Sequence, residues 1–459
     1  MHRSHPVLNP QATRQNATQQ QRLSRRRFLE ATGLAAGSVL AASSLSSSIA
    51  AARQNRRPRV AAIFTVFTHR SHAHVLLENF LEPYLFNGRP TDPGVDVVSF
   101  YADQTPGGDM SREVGQAYGI PIFKSIDAAL CVGGKQLAVD AVLSIGEHGN
   151  YPRNELGQVE YPRKRFFDEI VATMKRSGRF VPMFNDKHLS YQWDLAKEMY
   201  DETVQHDIPL LAGSSVPLAQ RRAALELPRG VEFDEAVSIH GGPIESYDFH
   251  GLEVLQSMVE SRSGGESGIS RVEFLSGDAV WNAAADSRFS LDLVQAAMAA
   301  EFGGPLQTLR KIGAEREVTP HCLLVKYKDG FRGAVLKVGH NSARWNFACR
   351  LKNAPSIQAT SFRVGPWENR CLFKALAHAI QHHFVHGKAP YPPERTLLAT
   401  GVLEAAMKSR SQSGQAIATP HLEFAYESPD FTAMRESGAS WKILTDDTPQ
   451  PQGIHKLGA

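Results

Sequence analysis

The chain has 459 residues, with 50 Lys and Arg against 47 Asp and Glu, a formal net charge of +3, and 42% hydrophobic residues. That near-balance carries no basic stripe and argues against a nucleic-acid partner, while the length suffices for two packed domains. Cys131, Cys322, Cys349 and Cys371 are spread too widely for a C-x-x-C pair and read as small buried hydrophobes, with any disulfide pairing left open.

The first 23 residues are polar and lack apolar periodicity. Ser24-Arg25-Arg26-Arg27-Phe28-Leu29 follows, then a weakly apolar run from Ala31 to Ala52 rich in Ala, Gly and Ser. A paired arginine ahead of such a run, closed by small residues at Ser48 to Ala52, is the layout of a twin-arginine export signal. A membrane anchor would want about 20 strongly apolar residues, and Gly33 and Gly37 argue against one. Residues 1–52 are therefore read as a signal handled by the Tat translocase, with a periplasmic or other extracytoplasmic destination.

Beyond the signal, Val60 to Phe64 reads as a buried strand and Val75 to Leu81 as a helix. Strands at Val95 to Tyr101, Gly119 to Phe123, Val139 to Ile145, Phe180 to Phe184 and Ile208 to Leu211 follow. Helices at Ser111 to Tyr118, Ile126 to Leu130, Phe166 to Arg176 and Trp193 to His206 separate them. This alternation predicts a parallel sheet covered on both faces over 57–215. The pattern then changes. A helix at Leu252 to Val259, a strand at Val272 to Leu275, and a hairpin of His321 to Lys328 and Ala334 to Val338 turning at Asp329-Gly330 come next. A strand at Asn346 to Leu351 and helices at Leu372 to Val385 and Thr396 to Ser409 complete an α+β domain over 216–425, and 426–459 reads as a loose tail. The fold class is α/β, a Rossmann-like parallel-sheet domain followed by an α+β domain.

Five stretches resemble, in order, the Gfo/Idh/MocA family of sugar-type oxidoreductases. Ala117 to Phe123 with Asp127 resembles its "yGip-y-s-d" strand and helix, and Val139-Asp140-Ala141-Val142 its "vDaV" strand. Gly178-Arg179-Phe180-Val181 with Asp186-Lys187-His188 stands where the family has "GKhV" and Glu-Lys-Pro. Gly241-Gly242 with His250 resembles "GGallDlGvH", and Gly387 to Ser409 the last helix. The resemblance implies a dinucleotide-binding domain joined to an open antiparallel sheet, NAD(P) as cofactor, a sugar-like substrate and a homo-oligomer. By the same resemblance Lys187 and His250 are the catalytic pair, and His72 falls where many members also have His. The chain departs at the phosphate loop, where Phe64, Val66 and His69 take the three glycine positions. It departs again at Ser246, which replaces the aspartate four residues before the histidine. Asp103, near the end of the second strand, is placed to meet a ribose hydroxyl or to be a solvated loop acid.

Three strand-end loops concentrate imidazoles and carboxylates: His69, His72 and His74; Glu147 and His148; Asp186, Lys187 and His188. At the carboxyl edge of a parallel sheet they can line a sugar pocket, with Glu147, His148, Asp186 and His188 as substrate-binding groups. His69, His72, His74 and His148 can instead hold a divalent metal. His378, His382 and His386 share one helix face, read as solvated or interfacial. The expected function is that of an exported carbohydrate or polyol oxidoreductase with Lys187 and His250 in proton transfer. The alternatives are a cofactor-free or metal-assisted sugar lyase, isomerase or hydrolase, and a sugar-binding protein without catalysis.

Overall fold

A computed structural model describes residues 56–302, 319–354 and 356–454. The chain divides into two units, Met1–Arg57 and Pro58–Ala459. The export signal expected over residues 1–52 lies outside the described residues, and the elements named below all belong to the second unit.

Six strands, β1 (Arg59–Phe64), β2 (Asp96–Ala102), β3 (Ile122–Phe123), β4 (Ala141–Ile145), β5 (Met183–Asp186) and β6 (Leu210–Gly213), form one parallel sheet in the order β3-β2-β1-β4-β5-β6. β1, β4, β5 and β6 are buried along almost their whole length, which is why their sequences run apolar without alternation. Between them stand α1 (His72–Leu81), α2 (Ser111–Tyr118), α3 (Ile126–Leu130), α4 (Arg163–Ser177) and α5 (Trp193–Gln205). α2 and α4 end on Gly119 and Gly178 in the left-handed conformation, at φ 68° and 62°. The strand order reverses between β1 and β4, so a crevice opens there at the carboxyl ends.

The second sheet contains β7 (Gln220–Arg222), β8 (Phe233–His240), β9 (Ile269–Ser276), β10 (His321–Tyr327), β11 (Arg332–Lys337), β12 (Trp345–Leu351), β13 (Gln358–Arg363) and β14 (Ile417–Ala418). Its order is β14-β9-β10-β11-β8-β12-β13-β7, antiparallel throughout except for β8 beside β11. The Asp329-Gly330 hairpin forms as the sequence predicts. Strand alternation divides the faces. Ser238, Val335, Trp345 and Phe347 look toward α6 (Ser246–Val259), while Val237, Ile239, Leu336 and Ala348 form a separate core with α7 (Asp278–Ala285) and α8 (Leu291–Phe302). The sheet is open at its edges, but its outer face carries this chain's own helices.

Two long helices, α9 (Asn369–His386) and α10 (Pro393–Ser411), pack back onto the first sheet's helices, α9 against α1 and α10 against α5. The expected loose tail is corrected by its hydrogen bonds. Asn87 donates to the Arg435 carbonyl at 3.0 Å, Gly88 N–H donates to Ser440 Oγ at 3.1 Å, and Trp367 Nε1 donates to the Thr448 carbonyl at 3.0 Å. Irregular chain lacks the periodicity from which packing is read, so sequence pattern misses such ties.

Candidate active site

A cleft of about 580 Å³ lies between the carboxyl edge of the parallel sheet and the first turn of α6. Lys187, Glu147, His148, His72 and His250 line it, with Tyr161, Glu245, Tyr247 and Trp345. Lys187 follows β5 directly in the left-handed region, at φ 64°, and its N–H donates to the Gly213 carbonyl at 3.1 Å. Its Nζ stands 3.5 Å from Glu147 Oε1. Glu147 also accepts from Arg163 Nη2. Burial alone would raise the Glu147 carboxyl, but Lys187 and Arg163 together hold it well below the usual range.

His250 sits on α6 with its ring edge-on to Trp345, centroids 5.2 Å apart. Burial, then the nearby Lys187 and His72, hold its imidazole well below its ordinary value, so it is neutral at pH 7. Its Nδ1 is buried without a hydrogen-bond partner among the described residues. His72 Nδ1 pairs with Asp186 Oδ2 at 2.6 Å, and its ring stands 5.0 Å from that of His148. Burial and His72 lower His148 to about 4. His188 is buried behind the cleft, its Nε2 accepting from Arg163 Nη1 at 3.2 Å. The structure thus brings Lys187, His250, Glu147, His148 and His72 to one cavity and puts Asp186 and His188 behind them.

The metal set is corrected. His69 and His74 pair with each other, ring centroids 5.0 Å apart, and neither lines the cleft holding His72 and His148. His74 is the third residue of α1, on the face turned inward, and its Nδ1 accepts the Arg70 N–H at 2.7 Å. Helical spacing separates it from His72 by roughly 200°. Among the described residues, three ligand atoms converge within 4.8 Å only at His240, Asp248 and His321. There Asp248 Oδ1 lies 2.9 Å and 2.6 Å from the two Nε2 atoms, while Oδ2 accepts the Glu245 N–H. Two imidazoles and a carboxylate can hold zinc or iron, but here they make a closed hydrogen-bonded support under the first turn of α6.

The resemblance implies a nicotinamide dinucleotide, and among the described residues the β1–α1 loop where its phosphates would lie carries side chains instead of glycines. Val66 and Phe67 are buried in the β1–α1 loop, and Phe67 packs edge-on to Phe64 and Phe100 at 5.5 and 6.2 Å. Asp103, the ribose candidate, has both oxygens engaged: Oδ1 accepts from Tyr101 and Arg165, and Oδ2 from Tyr151 at 2.7 Å.

Arg163, Tyr161, Glu245, Tyr247 and Trp345 are not singled out by sequence pattern. For Arg163 a signal exists. Positions 163, 166, 167, 170 and 174 make one helical stripe, and an arginine on an apolar stripe must be buried with a partner. Its course leaves no room at Gly146, where a Cβ would stand 2.6 Å from Arg163 Cγ. Gly146→Ala is expected to displace the guanidinium and to cost about 1–3 kcal/mol, read by urea unfolding; an unchanged midpoint would show that Arg163 yields freely. Gly242 has a like reason, since a Cβ there would fall 1.9 Å from the Tyr247 ring.

No family model matches the chain, and no curated protein does. Among solved structures it is similar to a myo-inositol dehydrogenase from Lactobacillus casei in complex with NAD(H) and myo-inositol, at 14% identity and TM-score 0.49, covering 82% of this chain and all (100%) of that one. It is also similar to GenD2 from gentamicin A biosynthesis in complex with NAD, at 13% identity and TM-score 0.48, covering 80% and 97%. A third is a myo-inositol dehydrogenase from Corynebacterium glutamicum, at 12% identity and TM-score 0.49, covering 79% and 99%.

Proposed function

We propose that this is an exported enzyme that moves a proton at a hydroxyl- or carbonyl-bearing carbon of a small sugar-like substrate. One observation carries the reading: a neutral His250 lines the same cleft as the Lys187 ammonium. His250 serves as the base, since a neutral imidazole accepts a proton at working pH. Lys187, aligned by Glu147, donates a hydrogen bond to the substrate oxygen on which charge develops. Arg163 keeps Glu147 anionic, and His148, His72 and Tyr161 offer hydrogen bonds to hydroxyls. The size of the cleft suits one such molecule.

The test is a panel of sugars, polyols and their keto forms, followed for turnover and for binding with wild type and His250→Gln. Turnover is expected to fall at least about 100-fold in the variant with binding retained. Turnover kept by the variant sinks the assignment of His250. Binding with no turnover by wild type favours a sugar-binding protein instead.

A second reading, a polyol oxidoreductase using NAD(P), is favoured by the strand order and its switch point between β1 and β4. It requires a place for the dinucleotide. Export by the twin-arginine route, proposed from Arg25 to Leu29, is checked by locating the protein after Arg25→Lys with Arg26→Lys.

A further inference from the structure

The β1–β2 end of the crevice, where a Rossmann domain holds adenosine and diphosphate, is filled by the chain itself. After β4 the segment 147–151 leans across the ends of β1 and β2 and is tied to each. Thr65 Oγ1 donates to the Glu147 carbonyl at 2.5 Å. Gln104 binds the Asn150 backbone twice, donating to its carbonyl at 2.9 Å and accepting its N–H at 3.0 Å. The Tyr151 phenol donates to Asp103 at 2.7 Å, the contact a ribose hydroxyl would make. Beneath the segment, an added Cβ on Gly149 would stand 3.3 Å from Val66 Cγ1 and 2.8 Å from the Tyr151 ring, so no open layer remains between segment and loop.

We infer that segment 147–151 replaces the dinucleotide, leaving a one-ligand cleft whose chemistry on its sugar-like substrate is redox-neutral. This rests on the proton-transfer reading of Lys187 and His250. The same segment that shuts the crevice delivers Glu147 and His148 to the cleft, so closure and site assembly are one feature of the chain. With the dinucleotide's place taken by the chain, the step must balance within the substrate. The base removes the C–H proton beside a carbonyl, and the electron pair passes into an enolate on the oxygen held by Lys187. Then either a β-oxygen leaves with that proton, or the hydroxyl on the deprotonated carbon gives its own proton to the enolate oxygen and becomes the new carbonyl while the base returns the first proton to the former carbonyl carbon. Elimination and isomerisation of a keto sugar both meet this balance without an added oxidant or reductant.

The test uses the full-length folded protein. Nucleotide released on denaturation is identified by mass spectrometry, and NAD+, NADH, NADP+ and NADPH are titrated to about 1 mM by calorimetry. Backbone hydrogen exchange over 147–151 is followed with and without each. The expected result is no retained nucleotide, no binding heat and unchanged exchange. A retained equivalent, a saturable titration, or loosening of 147–151 on adding a dinucleotide overturns the inference. A keto-sugar substrate turned over without nicotinamide is the accompanying positive result. Failure of the function reading looks different: Lys187 and His250 variants keep full turnover while the nucleotides still do not bind.

Discussion

Lys187→Met is expected to lower kcat by about 10²–10⁴-fold, the range for losing one positioned proton-handling group. The Nζ sits 3.5 Å from Glu147 and faces the cleft beside His250, so its ammonium is both oriented and in reach of a bound oxygen. Methionine keeps the stem's volume and removes the charge. The substitution also leaves Glu147 paired with Arg163 alone, which keeps the carboxylate partnered and the fold intact. A drop in kcat with an unchanged unfolding midpoint fits this role. A rise in KM with kcat preserved would mean that Lys187 only binds substrate.

Stability is expected to fall steeply between about pH 6.5 and pH 4. Burial lowers His74 to about 3, with help from Arg370, and lowers His383 to about 4. Each is neutral in the folded chain and binds a proton near pH 6.5 once unfolded. The unfolded state therefore takes up more protons, and acid favours it. The contribution is fully present above the unfolded value and is lost as pH falls toward the folded one. Each such histidine removes about 1.4 kcal/mol per pH unit within that window. Glu147, held low by Lys187 and Arg163, and Asp248, held low by its contacts with His321 and His240, add a further loss once the pH passes below about 4. Urea unfolding at pH 7.5, 6 and 5 checks this; equal free energies at the three values would contradict it.

Much of the architecture is legible in the sequence because it is periodic. Buried parallel strands such as Val60 to Phe64 announce themselves by unbroken apolar runs, and the Asp329-Gly330 turn fixes the register of its hairpin. Lys187, His250, His148 and Glu147 can be named from the chain alone, and they meet in one cleft. Other placements are not legible. His69 and His74 look like partners of His72 in sequence, but α1 turns His74 inward, and a rotation per residue is invisible until the helix start is known. Asp248 stands two residues before His250, with nothing local to show its aim. It points away from the cleft, into a contact with His240 and His321 that needs strands β8 and β10 placed across the sheet.

Composition and local pattern alone determined the two-domain plan, the carboxyl-edge position of the polar loops and the missing phosphate-loop glycines, because each depends on a few neighbouring residues. The use made of the crevice belongs to tertiary structure. Thr65, the Asp103-Gln104 pair and Tyr151 are far apart in the chain, and nothing local says that one loop's backbone and phenol will satisfy another loop's hydroxyl, carboxylate and amide. A polar group at a strand end can serve a ligand or its own chain with the same chemistry, and only the folded path of 147–151 chooses between them.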